Sequence, residues 1–121
     1  MTFVLDTNAV ILVLKGEART IIGETDTVAI SIISEIELLG WKGLSRSEEL
    51  AVRGFLVGAR VLPLSEAVKD AAIKLRSATN LKTPDAIIAA TASVLGAVLV
   101  TNDKQLLRVP GLRTQQLVRA E

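Results

Sequence analysis

Asp6, Glu37, Asp85 and Asp103 are the side chains of this sequence whose type and setting suit them to chemistry. Asp6 ends the apolar run Phe3-Val4-Leu5 and is followed by Thr7 and Asn8. A near echo closes the second half, where Val98-Leu99-Val100 runs into Thr101-Asn102-Asp103. Glu37 ends Ser34-Glu35-Ile36-Glu37, which has the spacing of a capping box, and Asp85 ends Thr83-Pro84-Asp85, a helix start with Thr83 as capping hydroxyl, proline at the first helical position and an acid in the first turn. In an open parallel sheet, ligands bind beyond the carboxyl ends of the strands. That rule puts Asp6 and Asp103 on one edge of the sheet, and helices beginning at the same edge would bring Glu37 and Asp85 to them. Uncompensated carboxylates so gathered repel one another and resist ionising, a conflict that a divalent cation removes.

The sequence has no histidine and no cysteine. Thiolate nucleophiles, imidazole bases, disulfides and the usual zinc centres are therefore excluded. A site with oxygen ligands alone favours a hard ion, Mg²⁺ or Mn²⁺, held partly through water. Such an ion acidifies a bound water and steadies charge growing on a phosphate, so the inventory fits phosphodiester hydrolysis. One carboxylate would serve as general base, with Thr7, Asn8, Thr101 and Asn102 available to orient ligands or water. Each acid also has a plainer account: Asp6 as a cap, Glu37 as half of a capping box, Asp85 as complement to a helix dipole, Asp103 beside Asn102 as a turn. What these accounts do not predict is the joint arrangement. Glu35 is the nearest rival to Glu37.

The elements that must position these residues follow from the hydrophobic pattern. Buried strands are expected at residues 3–5, 28–30, 61–62 and 97–100, with a last edge strand from Leu112 to Val118. Helices are expected after Thr7 or Asn8 up to Gly16, weakly around Ala18 to Ile22, from Ser34 to Gly40, from Ser45 or Ser47 to about Ala59, from Ser65-Glu66 to Asn80, and from Thr83 to Gly96. Half of the residues are hydrophobic but only 2% are aromatic, so the core is aliphatic, which suits parallel strands covered by helices on both faces. At 121 residues one domain spanning 1–121 is expected.

The formal net charge of +1 does not draw the chain to polyanions in bulk, so any nucleic-acid contact must be local. Lys42, Arg46, Lys82 and Lys104 lie closest in sequence to the motifs, and few aromatic side chains are available for stacking. No basic segment precedes the first apolar run, and Ala86 to Val100 is too short to span a bilayer, so a cytoplasmic protein without a membrane partner is expected.

Taken in order, Leu-Asp-Thr-Asn, Ser-x-x-Glu-Leu-Leu-Gly, Thr-Pro-Asp-Ala-Ile-Ile-Ala-Ala-Thr-Ala and Leu-Val-Thr-Asn-Asp resemble the PIN domain, of the VapC toxin type, from Val4 to about Leu107. The resemblance implies a three-layer α/β/α sandwich with a central, mainly parallel sheet. It also implies an Mg²⁺- or Mn²⁺-dependent ribonuclease acting on single-stranded RNA, leaving a 5′-phosphate and a 3′-hydroxyl. Carried over by position, the metal-binding and catalytic acids fall on Asp6, Glu37, Asp85 and Asp103, and the supporting polar positions on Asn8 and Thr101. A homodimer and a small inhibitory antitoxin are further implications. A solitary nuclease, or a PIN-like module that binds RNA or protein without cutting it, is the alternative. The haloacid-dehalogenase-like pattern of strand-end acids asks for an acid two residues after the first, where this sequence has Asn8, and a receiver domain asks for adjacent acids near its first strand, which are absent.

Overall fold

The first strand, β1 (Thr2–Leu5), is the middle of the sheet, and its side chains divide the core in two. Phe3 and Leu5 face one way and Val4 the other, as the two-residue period of a strand requires. The computed structural model describes residues 1–120. Next in order come α1 (Thr7–Leu14), a two-residue strand β2 (Ala18–Arg19), β3 (Thr27–Ser31), α2 (Ile32–Leu39), α3 (Arg46–Val57) and β4 (Arg60–Leu62). The chain continues through α4 (Glu66–Ala78), α5 (Thr83–Leu95), β5 (Val98–Val100), a short α6 (Lys104–Leu107), β6 (Thr114–Gln115) and β7 (Val118–Arg119).

The central sheet has the order β4-β3-β1-β5-β6 and every pairing in it is parallel. The first half of the chain builds outward from β1 on one side, and the chain then crosses to lay β5 against the other side. This reversal makes the C-terminal edge beside β1 and β5 the natural crevice of the fold. On one face α4 and α5 cover Val4, Ala29 and Leu99; on the other α1, α2 and α3 cover Phe3, Leu5, Ile30 and Val100. The result is the expected three-layer α/β/α sandwich. Its core is aliphatic, and side chains such as Ile30, Ile88, Leu99 and Val4 are wholly buried, each contributing roughly 1.5–3 kcal/mol. From Ala86 to Ala92 every residue of α5 is buried, which explains a helix apolar nearly all round.

Four local readings are corrected. First, α2 begins at Ile32, capped by the Ser31 hydroxyl, which accepts from the Ile33 amide. β3 therefore runs into α2 without a loop, and Ser34 lies inside the helix, fully buried. The Ser34–Glu37 capping box does not form, and the box that does form joins Ser45 and Glu48 at the start of α3. Second, Ala18–Arg19 is a strand because it pairs antiparallel with Val118–Arg119, a partner a hundred residues away that no local pattern reveals. Third, Thr83 is the first residue of α5, after Lys82 at the cap, and its hydroxyl accepts from Arg76 instead of capping (2.5 Å). Fourth, the expected edge strand between Leu112 and Val118 is two short ones: β6 extends the main sheet, while β7 turns away to β2.

Candidate active site

Asp6 is the first residue after β1 and the N-cap of α1, with its Oδ1 accepting from the Ala9 amide at 2.7 Å. Because β1 and β5 run in parallel with Leu5 opposite Val100, the residue after each strand also meets its neighbour. The Asp6 amide donates to the Val100 carbonyl (3.2 Å), and the fully buried Thr101 hydroxyl donates to Asp6 Oδ2. The same Thr101 oxygen accepts from the Asp103 amide (3.0 Å). One hydroxyl thus fixes both strand-end acids. Asp103 in turn caps α6, accepting from the Gln105 amide at 2.8 Å.

Glu37 reaches the same crevice from the second turn of α2. The Thr7 hydroxyl donates to its Oε1 (2.6 Å) and also lies 2.9 Å from the buried Ser34 hydroxyl. Asp85 comes from the first turn of α5, on the opposite face of the sheet. Asp6, Asp85 and Asp103 all stand at helix N-termini, whose partial positive charge offsets some of their repulsion.

Together the four carboxylates line one cavity of about 680 Å³, with Thr7, Asn8 and Asn102 among its other polar walls. Glu35 is not among those walls, which separates it from Glu37. Asn8 is exposed and available, whereas the Asn102 Oδ1 accepts from the Leu117 amide at 2.9 Å and ties down the C-terminal segment. Thr101 lies beneath the cavity. Lys42, Arg46, Lys82 and Lys104 are not among the described walls. The one basic wall residue is Lys15, at the end of α1, a residue the sequence reading passed over.

The electrostatics carry the mark of an uncompensated acidic site. Burial raises the Asp6 carboxyl above its ordinary range, and repulsion from Asp103 and Glu37 adds to this against the lowering hydrogen bonds from Thr101 and Ala9. Asp85 is raised too, again first by burial and then by Asp103, Asp6 and Glu37, with Lys82 opposing weakly. Among the described residues the ion pairs are Met1–Asp26, Arg53–Glu49 and Lys69–Glu66, and none involves the four acids. As they stand, no three acids of the described residues close on a single point tightly enough to enclose an ion. The donor set nevertheless fits a hard cation: carboxylate oxygens around one cavity, mutually repelling and in no ion pair among the described residues.

The far wall of the cavity is α3 and the turn before it. Leu44, Glu48, Ala51 and Val52 face the acids across the opening, with Ile11, Leu14, Leu38, Trp41 and Ile88. Leu38 and Ile88 belong to the motifs of α2 and α5 and Glu48 to the capping box of α3, whereas Leu44, Ala51, Val52, Ile11, Leu14 and Trp41 carry no chemical motif. Their place at the site comes from packing between elements distant in sequence.

The sequence matches the family model for the PIN domain over residues 3–112. The chain belongs to the PIN domain family. Its fold resembles solved structures named as VapBC or toxin–antitoxin complexes. VapBC2 from Rickettsia felis, bound to a DNA fragment from their promoter, matches with a TM-score of 0.80 and 21% identity over 97% of this chain and 99% of that chain. DNA-bound VapBC from Salmonella typhimurium matches with 0.77 and 25% over 96% and 98%. A toxin–antitoxin complex from Klebsiella pneumoniae matches with 0.71 and 27% over 90% and 93%. Among curated proteins none is a significant match in sequence. Among the described residues no helix of this PIN domain is long and apolar enough to cross a membrane.

Proposed function

We propose that this PIN domain is an endoribonuclease of the VapC toxin type, hydrolysing phosphodiesters of single-stranded RNA with Mg²⁺ or Mn²⁺ and leaving a 5′-phosphate and a 3′-hydroxyl. Its partners are RNA, a small antitoxin and a second copy of the chain, and its place is the cytoplasm. The observation that carries the reading is the convergence of Asp6, Glu37, Asp85 and Asp103 on one cavity, with no basic side chain paired to any of them among the described residues. The antitoxin is supported by the relatives' assemblies, which are named as VapBC or toxin–antitoxin complexes.

Asp6, Asp85, Asp103 and Glu37 are the residues that would hold the metal. When bound, such an ion acidifies water and stabilises the charge that gathers on a phosphate under attack. The chain's own groups supply position and proton transfer. Thr101 locks the rotamer of Asp6 and the backbone of Asp103 at once, so the two acids keep a fixed separation. Glu37 is exposed and anchored through one oxygen to Thr7, which leaves its second oxygen free to accept a proton from the attacking water. Asn8 offers an amide at the cavity mouth to orient that water or a phosphate oxygen.

Purified protein incubated with single-stranded RNA and Mn²⁺ should cleave it, and Asp6→Asn or Asp103→Asn should abolish cleavage while circular dichroism and a cooperative melt confirm the fold. Full activity in excess chelator, or unchanged activity in both variants, refutes the mechanism. For the toxin role, expression of the active protein should arrest growth, and co-expression of a small antitoxin encoded beside it should relieve the arrest.

A further inference from the structure

Trp41 follows the end of α2, and its indole is 67% exposed at the wall of the cavity that holds the four acids. It is the one tryptophan of the chain, which has no tyrosine and two phenylalanines. Phe3 is buried between β1 and the helices α1–α3, and Phe55 packs against the same side of the core. The other aromatic rings are thus spent on the interior, and the ring with the largest flat face is held out at the candidate active site. A single exposed apolar residue needs no explanation in general. This one differs because it shares its cavity with an unpaired acid cluster and with Lys15, the one basic side chain of the described walls. Lys15 makes no ion pair within 4.0 Å among the described residues, although it is near enough to Glu48 to help Ser45 lower that carboxyl.

A flat π surface, a cation and a group of acids suited to a divalent ion are the three parts that a nucleotide needs: a face for the base, a contact for a neighbouring phosphate and a centre for the reacting phosphate. A peptide chain would use the apolar wall but has no call for the metal-suited acids beside it. Resting on the RNA-cleaving reading above, we propose that Trp41 is the stacking platform for one nucleobase of the single-stranded substrate, with Lys15 contacting an adjacent phosphate. Every base has a π-face, so such a platform selects for unstacked single strands without selecting a sequence. The chain's acidic cavity has little else to attract a base-bearing strand. The indole therefore governs binding more than the chemical step.

The single tryptophan makes the test direct, since all tryptophan fluorescence comes from this ring. The full chain carrying Asp103→Asn, which prevents turnover, is titrated with poly(U) and poly(A) in Mn²⁺, and separately with inorganic polyphosphate, a polyanion without bases. Stacking predicts quenching by both RNAs and none by polyphosphate. Equal quenching by polyphosphate, or none by either RNA, overturns the proposal. In the otherwise native chain, Trp41→Leu should raise KM for poly(U) cleavage by about 5- to 150-fold with kcat nearly unchanged, and Trp41→Phe should recover most of the loss. Lys15→Ala should raise KM and weaken its salt dependence. If the native chain cleaves RNA but Trp41→Leu leaves KM unmoved, the stacking role fails and the nuclease reading stands. If the native chain cleaves nothing yet RNA alone quenches, the nuclease reading fails and the base platform stands.

Discussion

Replacing Thr101 with valine removes one oxygen and changes little else in shape, yet it should weaken both strand-end acids together. The hydroxyl is wholly buried, donates to Asp6 Oδ2 and accepts from the Asp103 amide at 3.0 Å. Hydrogen bonds to charged groups contribute about 1.5–3 kcal/mol, and the valine would leave two polar groups without their partner in a water-poor place. For a chain of this size that corresponds to a fall in Tm of roughly 5–15 °C near neutral pH. The loss depends on pH in a defined sense. Burial already raises the Asp6 carboxyl, and the Thr101 bond is the foremost of the influences holding it down. Without that bond the folded-state value climbs further above the unfolded one. A carboxyl raised in the folded state costs stability as pH rises from the ordinary carboxylate value through the raised one, and the cost stays constant above it. The difference between native and Thr101→Val protein should therefore be fullest at neutral pH and shrink as pH falls below the ordinary range, where the carboxyl is neutral in both states. Thr101→Ser keeps the oxygen and should lose only about 0.5–1.5 kcal/mol for its methyl. Urea melts of the three proteins across that range, without divalent ions, measure this. A Thr101→Val loss that is the same at acid and neutral pH, or no greater than that of Thr101→Ser, would refute the assignment of the hydroxyl to the Asp6 carboxylate.

Mn²⁺ at about a hundred times its dissociation constant should stabilise the native fold by about 2.7 kcal/mol in a thermal melt, and chelator should reverse it. Asp85→Asn removes one of the repelling charges, so it should raise metal-free stability at neutral pH by a few tenths to about 1 kcal/mol while cutting the Mn²⁺-induced gain and cleavage; a metal-free melt below native would count against mutual repulsion. Thr7→Val frees Glu37 from its hydroxyl donor and should lower kcat by about 10–100-fold with the melt nearly unchanged, whereas an unchanged kcat would leave Thr7 only a packing role. Ser45→Ala breaks the capping box of α3 and should cost about 1 kcal/mol in a urea melt with kcat unchanged.

The parts of this fold legible in the sequence are those where burial leaves one choice. Val4-Leu5 and Leu99-Val100 are apolar runs too short for helices and flanked by polar residues, so they could only be interior strands, and both are wholly or nearly wholly buried. Helix starts were less determinate, because serines compete for the cap. Ser34 has the better local credentials, with Glu37 three residues on, but Ser31 prevails since starting α2 there turns Ile33 onto the core and Ser34 against Thr7. That outcome bears on the site. A glutamate engaged in a capping box would be bound to backbone, whereas one in the second turn reaches across to Thr7 and into the cavity. The pairing of Ala18–Arg19 with Val118–Arg119, the α3 wall and Lys15 were beyond reach for a common reason: each is defined by elements distant in sequence, and none carries a local signature.

The apparent symmetry between Leu5-Asp6-Thr7-Asn8 and Val100-Thr101-Asn102-Asp103 is also resolved by register. With Leu5 opposite Val100, the counterpart of Asp6 on the neighbouring strand is Thr101, not Asp103. The two acids are therefore not equivalent copies. Asp6 is buried at the strand end, and its carboxylate is set by a hydroxyl occupying the same level of β5. Asp103 lies two residues further on, exposed, and enters the cavity as the cap of α6. An acid at both positions of the same level would place two buried carboxylates side by side, each raising the other's pKa with no donor between them. Threonine at that level supplies a donor to the first acid and an acceptor to the backbone of the second, and the offset of two residues carries the second charge out to where water and a cation can reach it.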